Sequence, residues 1–160
     1  MGLELVRCDD RLIHGQVVIG WTRSRGITTI LAIDDKTAND KFQMQLMKMA
    51  TPPGVKPVFL TLADAIEKIK AGEYEKSKYM ILAKGPKLIN ELVDNGIDIK
   101  EVNVGNQRSG DGKKKLLNFV YSTDEEISEW KKLSSKGIKL YGQTLPDTPS
   151  FDMNEVVDKL

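Results

Sequence analysis

Cysteine and histidine are the scarcest chemistry in this 160-residue sequence, one of each: Cys8 and His14. A lone cysteine excludes an internal disulfide framework and fits a reducing, cytoplasmic compartment. One histidine and one cysteine do not suffice for an ordinary zinc or copper site, so no metal is expected. Charge of one sign is missing too. Lysine and arginine number 24 against 23 aspartate and glutamate, a formal net charge of +1, which gives no bulk attraction for nucleic acid or an anionic membrane. No apolar run approaches the roughly 20 residues that cross a bilayer. The opening MGLELVRCDD is too charged for a secretory signal, and Val6 stands where a myristoylation site needs Ser or Thr. Neither GxGxxG nor GxxxxGK[ST] occurs, so no nucleotide site and no cofactor are expected.

What is present is a globular pattern. The chain is 40% hydrophobic, enough for one compact domain over residues 1–160, and it shows no repeat or linker. Leu3 to Cys8 reads as a strand. Ile13, Val17 and Trp21 then share a helical face that Gly26 ends. Ile27 to Ile33 is a strand, and Phe42, Leu46, Met49 and Ala50 mark a helix closed by TPPG. Val55 to Leu60 is a strand, with Leu62, Ala65, Ile66 and Ile69 on the helix after it. Tyr79 to Ala83 is a strand, Pro86 opens the next helix, and Ile99 to Val104 is a strand. Residues 116–122 read as a strand reached without a helix. Thr123 and Glu126 form a capping box for the following helix. Ile138 to Tyr141 is a further strand, with a short helix near Met153 to Leu160. Repeated βα units predict an α/β fold: an open, mainly parallel sheet with helices on both faces and one antiparallel strand.

Ligands of such sheets bind at the carboxyl ends of the strands. There the sequence places DDRLIHGQVV, Asp9 to Val18, between the first strand and the first helix. A neutral imidazole is a good nucleophile near pH 7, and a helix N-terminus favours an arriving phosphate. Arg11 supplies a fixed guanidinium for phosphate oxygens. Asp9 or Asp10 can hydrogen-bond one ring nitrogen of His14 and set its tautomer, although both also suit a helix cap. Gly15 removes bulk beside the reacting ring. The loop GNQRSGDGKKK, Gly105 to Lys115, adds Asn106 and Arg108 as candidate contacts to a phosphate or a partner. Lys84, Asp34 and Asp35 lie on the same edge but read as a surface lysine and turn or cap residues. The Met44, Met47 and Met49 group reads as core or helix surface. A phosphoaspartate receiver is disfavoured, because the third strand ends Val58-Phe59-Leu60-Thr61 and no aspartate comes before Asp64. A non-catalytic binding module is the other rival, to be separated by whether His14 carries covalent phosphate.

The stretch DDRLIHGQV resembles the signature of the IIB components of the mannose/fructose/sorbose family of the bacterial sugar phosphotransferase system. GWT (20–22), DDKTAND (34–40), TPPGV (51–55), VNVGN (102–106) and KGIKL (136–140) are similar to further family segments in the same order, so the likeness spans nearly the whole chain. It implies a cytoplasmic phosphotransferase subunit on an open, mainly parallel sheet. His14 would accept a phosphoryl group at Nδ1 from a phosphohistidine on a IIA protein or domain. It would pass the group to a sugar held by the membrane components IIC and IID, where the subunit would sit peripherally. Arg11 would bind the phosphate, and Asp10 would belong to the same loop. A homodimer is compatible with the resemblance. Gln107 and Arg108 depart modestly from the family pattern. VNVGN followed by GKKK is similar to N-acetylgalactosamine-type members, with mannose, fructose and sorbose left open.

Overall fold

The computed structural model describes residues 2–160. Strand β1 (Gly2–Cys8) leads into helix α1 (Gly15–Arg25) and strand β2 (Thr29–Ile33). One helical turn, α2 (Asp35–Ala38), and helix α3 (Lys41–Ala50) precede β3 (Lys56–Leu60). Then come α4 (Leu62–Lys70), β4 (Lys78–Ala83), α5 (Pro86–Asp94) and β5 (Glu101–Val104). A hairpin of β6 (Lys114–Leu117) and β7 (Val120–Ser122) leads to α6 (Asp124–Ser135) and β8 (Lys139–Gly142). The chain finishes with β9 (Phe151–Asp152) and α7 (Met153–Asp158).

The boundaries follow local chemistry. α1 stops where Gly26 turns left-handed at φ 65° and its N–H bonds the Thr22 carbonyl, a backbone state open to glycine. Pro86 opens α5. The Thr123–Glu126 capping box is formed at α6. Asp34 caps α2, and Asp40 caps α3 by accepting from the Phe42 and Gln43 N–H groups.

The sheet runs β3-β2-β4-β1-β5-β8-β9, parallel throughout except that β9 pairs antiparallel with β8. The central strands β2 and β4 are apolar on both faces, as a sheet covered on both sides demands. One face carries the larger core, in which Ile89 and Leu92 of α5 and Trp130 of α6 pack on Ile81 and Leu140. The other face carries a smaller cluster built on Val18 and Trp21 of α1, with Met47 and Ala50 of α3 against it.

One expectation is corrected. Residues 116–122 are two arms rather than one strand: the chain reverses at Asn118 and Phe119, and Leu117 lies opposite Val120. Leu116, Leu117, Phe119 and Val120 form one apolar run through the turn, and only Leu116 of the first arm is buried, against Val120 and Ser122 of the second; Asn118, a residue favoured in tight hairpin turns, was the mark of the break. The antiparallel strand of the main sheet is β9 instead. Of the four residues that mark α3, only Ala50 packs against a core. Phe42, Leu46 and Met49 are 70%, 45% and 76% exposed, and α3 has no fully buried residue.

Candidate functional site

The chain leaves β1 toward α1 on the face of the smaller core. It leaves the neighbouring strands β4 and β5 toward elements of the larger core. Adjacent strands whose continuations part to opposite faces open a crevice at their carboxyl ends, and residues 9–14 lie there. The turn begins with the Leu12 N–H donating to the Asp9 carbonyl at 2.9 Å. Leu12 itself has φ 55°, the one positive value at a non-glycine among the described residues. That conformation costs about 1–2 kcal/mol for an L-residue and is held because the Leu12 side chain is buried in the smaller core. The sharp turn sends Ile13 inward and leaves His14 exposed as the N-cap of α1, with no capping hydrogen bond from its side chain.

Neither aspartate is on the histidine ring. Asp9 is 1% exposed and sits between two arginines. Arg11 grips it in a fork, Nε to Oδ1 and Nη2 to Oδ2, both at 2.9 Å, while the Arg11 backbone N–H reaches Oδ1 at 3.1 Å. Arg7 reaches Oδ2 from inside the protein at 3.2 Å. The tautomer-setting role expected of Asp9 or Asp10 therefore gives way to charge pairing: a buried carboxylate needs fixed positive partners, and the arginines provide them.

Arg7 was missed in the sequence, where it reads as one residue of an apolar strand. Its guanidinium bonds the Asn103 side chain of β5 and the carbonyls of Gln143 at 2.9 Å and Thr144 at 3.2 Å. It also stacks 5.4 Å from the centre of the Trp21 ring, a favourable cation–π distance. Gly105 is glycine for this reason, since a Cβ there would collide with the guanidinium. Burial lowers the pKa of Arg7 against the opposing pull of Asp9, and the hydrogen bonds to Asp9 raise that of Arg11. Both stay charged at neutral pH. Burial likewise pushes the Cys8 thiol up, leaving it protonated and inert.

Asp10 ties the loop after β5 to the loop after β1. It accepts from Asn106 Nδ2 at 2.9 Å, from the Arg108 backbone N–H at 2.8 Å and from Arg108 Nε at 3.0 Å. Burial alone would raise the Asp10 carboxyl, but the bonds from Arg108 and Asn106 outweigh it and hold it below the usual aspartate range. Gln107, also buried, donates to the Lys84 carbonyl at 3.0 Å and bridges to Val120 of the hairpin. Asn106 and Arg108 thus lie beside the loop after β1, positioned by Asp10.

Beside this edge lies an open cleft of about 490 Å³ whose walls include Asp10, Arg11, Lys36, Asp40, Gln43, Lys84 and Arg108. Lys84 is more than a free surface lysine: it pairs with Asp34 at 3.1 Å. Gly15 is not required by packing within the chain, because an added Cβ would meet the Ala50 carbonyl oxygen at an ordinary 3.8 Å. No group of three or more His, Cys, Asp or Glu among the described residues is arranged to hold a metal ion. No helix among them is long and apolar enough to cross a membrane.

The arrangement places an accessible imidazole at a helix N-terminus, three residues along the chain from a locked guanidinium with a free outer edge. That combination suits transient binding of a tetrahedral anion. The family model described as the PTS system sorbose subfamily IIB component matches residues 3–160. The chain is 35% identical over 144 residues to the N-acetylgalactosamine-specific phosphotransferase enzyme IIB component 1 of Escherichia coli strain K12, covering 89% of this chain and 90% of that one. It is 32% identical over 160 residues to the mannose-specific EIIAB component of the same strain, and it spans half of that relative's length. Among solved structures, the IIBSor domain of the sorbose permease from Klebsiella pneumoniae superposes with a TM-score of 0.93 at 28% identity, covering 99% and 98% of the two chains.

Proposed function

Because the chain belongs to the sorbose subfamily of phosphotransferase-system IIB components, we propose that it is a phosphocarrier whose acceptor is His14. The observation that carries this is the placement of the chain's one histidine: exposed, at the head of α1, three residues after an arginine fixed by a buried carboxylate. The donor is a phosphohistidine on a IIA protein or domain. A relative that joins IIA and IIB in one EIIAB component supports that choice. The recipient is a sugar held by the IIC and IID membrane components, and residues 1–160 act as one peripheral, cytoplasmic unit. N-acetylgalactosamine is the first sugar to test, since a relative named for it is 35% identical.

In the first step the lone pair of neutral Nδ1 of His14 attacks phosphorus in line. The P–N bond to the donor breaks, and the donor ring, protonated on its far nitrogen, leaves as neutral imidazole. The His14 ring keeps its own far proton and becomes the phosphorylated imidazolium. Arg11 Nη1 and the unused edge of Nη2 neutralise the equatorial oxygens, a gain from positioning and charge rather than from new covalent chemistry. In the second step a sugar hydroxyl attacks phosphorus, gives its proton to solvent or a base on the partner, and the P–N bond to His14 breaks. Asp10, Asn106 and Arg108 hold the rim, Asp9 orients Arg11, and the small size of Gly15 leaves room for the approaching group.

The test is intact-mass spectrometry after incubation with phosphoenolpyruvate, enzyme I, HPr and the cognate IIA. One phosphate that acid removes and alkali spares, located on His14, is the expected result. His14→Ala should abolish it while changing folding stability by less than about 0.5 kcal/mol, as for an exposed position. Phosphate still accepted by His14→Ala would overturn the assignment.

A further inference from the structure

We propose that the exposed stripe of α3 is the docking surface for the phosphorylated IIA donor. This rests on the reading of His14 as acceptor and names the partner's footprint. Phe42, Leu46 and Met49 are spaced i, i+4, i+7, so they form one line along the helix. All three are exposed, while the neighbouring side of α3 turns Gln43 and Met47 toward the cleft and Met47 and Ala50 toward the smaller core. Phenylalanine and methionine are enriched where proteins meet and are unfavourable in such a line facing water.

The helix that carries the stripe adjoins the candidate site at both ends. At its start, Asp40 and Gln43 share the cleft walls with Arg11. At its end, the Ala50 carbonyl oxygen stands 3.8 Å from the position of a Cβ on Gly15, the neighbour of His14. A protein that brings a phosphohistidine to His14 therefore lies against α3. The charges agree. α3 carries Lys41 and Lys48 and no acid, and Lys36 and Arg11 line the adjoining cleft, so the surface attracts a donor bearing a phosphoryl dianion. A second copy fits less well. A two-fold contact would oppose each helix's lysines to like charge and would cover the approach to His14. Three side chains also fall well short of the ~800 Å² per partner of a stable interface, which suits a donor that must leave after each transfer.

The test compares wild type with the double variant Phe42→Ser/Met49→Ser and, separately, with Leu46→Glu. Phosphorylation is followed from labelled phospho-IIA at varied concentration and from phosphoramidate, a small donor that needs no docking. The expected result is a rise of about 10-fold or more in the half-saturating phospho-IIA concentration, the size of a lost interface anchor. The saturated rate and the phosphoramidate rate should be unchanged. Unchanged half-saturation would overturn the proposal. So would a wild-type dimer that the variants convert to monomer in sedimentation, which would make the occupant a second copy. An intact IIA step combined with reduced sugar phosphorylation in vesicles carrying IIC and IID would assign the stripe to the permease instead. A wild type that accepts phosphate from neither donor would remove the phosphocarrier reading itself, and the docking proposal with it. All three side chains are exposed, and circular dichroism checks that the variants fold.

Discussion

Arg7 and Arg11 hold one carboxylate from opposite sides, yet their removal should not cost the same. Asp9→Ala leaves the buried Arg7 charge without a counter-ion, a loss of about 3–5 kcal/mol. Arg11→Ala leaves Asp9 still paired with Arg7. Arg11 is also part-exposed, with a side chain 31% accessible, so its loss should cost about 1 kcal/mol or less. Urea denaturation of the two variants measures the difference, and equal costs would contradict the arrangement. The transfer rates should reverse the emphasis: Arg11→Lys, which keeps the charge but loses the planar fork, should slow phosphorylation while barely moving stability. Gly15→Ala isolates another role. The chain has room for the methyl and the helix gains from alanine, so the variant should be at least as stable as wild type. If phosphoryl transfer falls all the same, the space belongs to the incoming group.

Between elements, Asp10 is the clasp that joins the loops after β1 and β5, with Arg108 98 residues away along the chain. Because its carboxyl is held below the ordinary aspartate value of 3.8, the clasp contributes stability that is complete above that pH and fades as pH falls through the lower folded value. Asp10→Asn should therefore cost stability at pH 7, and the difference from wild type should shrink below about pH 4 in denaturation curves. At α6, Thr123→Ala removes a formed capping box and should cost about 1 kcal/mol. Such devices were legible in the sequence because they are local: Gly26, Pro86, Asp34 and the Thr123–Glu126 pair act within one turn. The hairpin at Asn118 was not, because Leu116, Leu117, Phe119 and Val120 read as one apolar run broken by a single residue. Nor was the outward face of α3, since periodicity reports that a helix has an apolar side and not which way that side points. His14, Arg11 and Asp10 were visible as one motif. The partners of the two aspartates were not, because Arg7 hides in an apolar strand and Arg108 in a polar loop, and only the fold brings them together.

Across the molecule, two cores of unequal size share one sheet. Trp21 stands in the smaller and Trp130 in the larger. β1, β2 and β4 contribute side chains to both, so the two faces should unfold together. Trp21→Phe and Trp130→Phe variants give each face its own fluorescent reporter, and their urea midpoints should move only by the shift that circular dichroism records for the same variant. Separate transitions would mean that the face bearing α1 and α3 opens on its own. Because the candidate site straddles both faces, its geometry is as durable as the whole fold, and this sharpens the meaning of the Asp9–Arg11 pair. A relay must be emptied as readily as it is filled. An arginine with no counter-ion would sink a captured phosphate into a deep electrostatic well and make the second transfer the slow one. Asp9 already shares the charge of Arg11, so in the phosphocarrier proposed above the well would be shallow, and the energy of a P–N bond on His14 would pass on to the next acceptor rather than be spent in binding the phosphate.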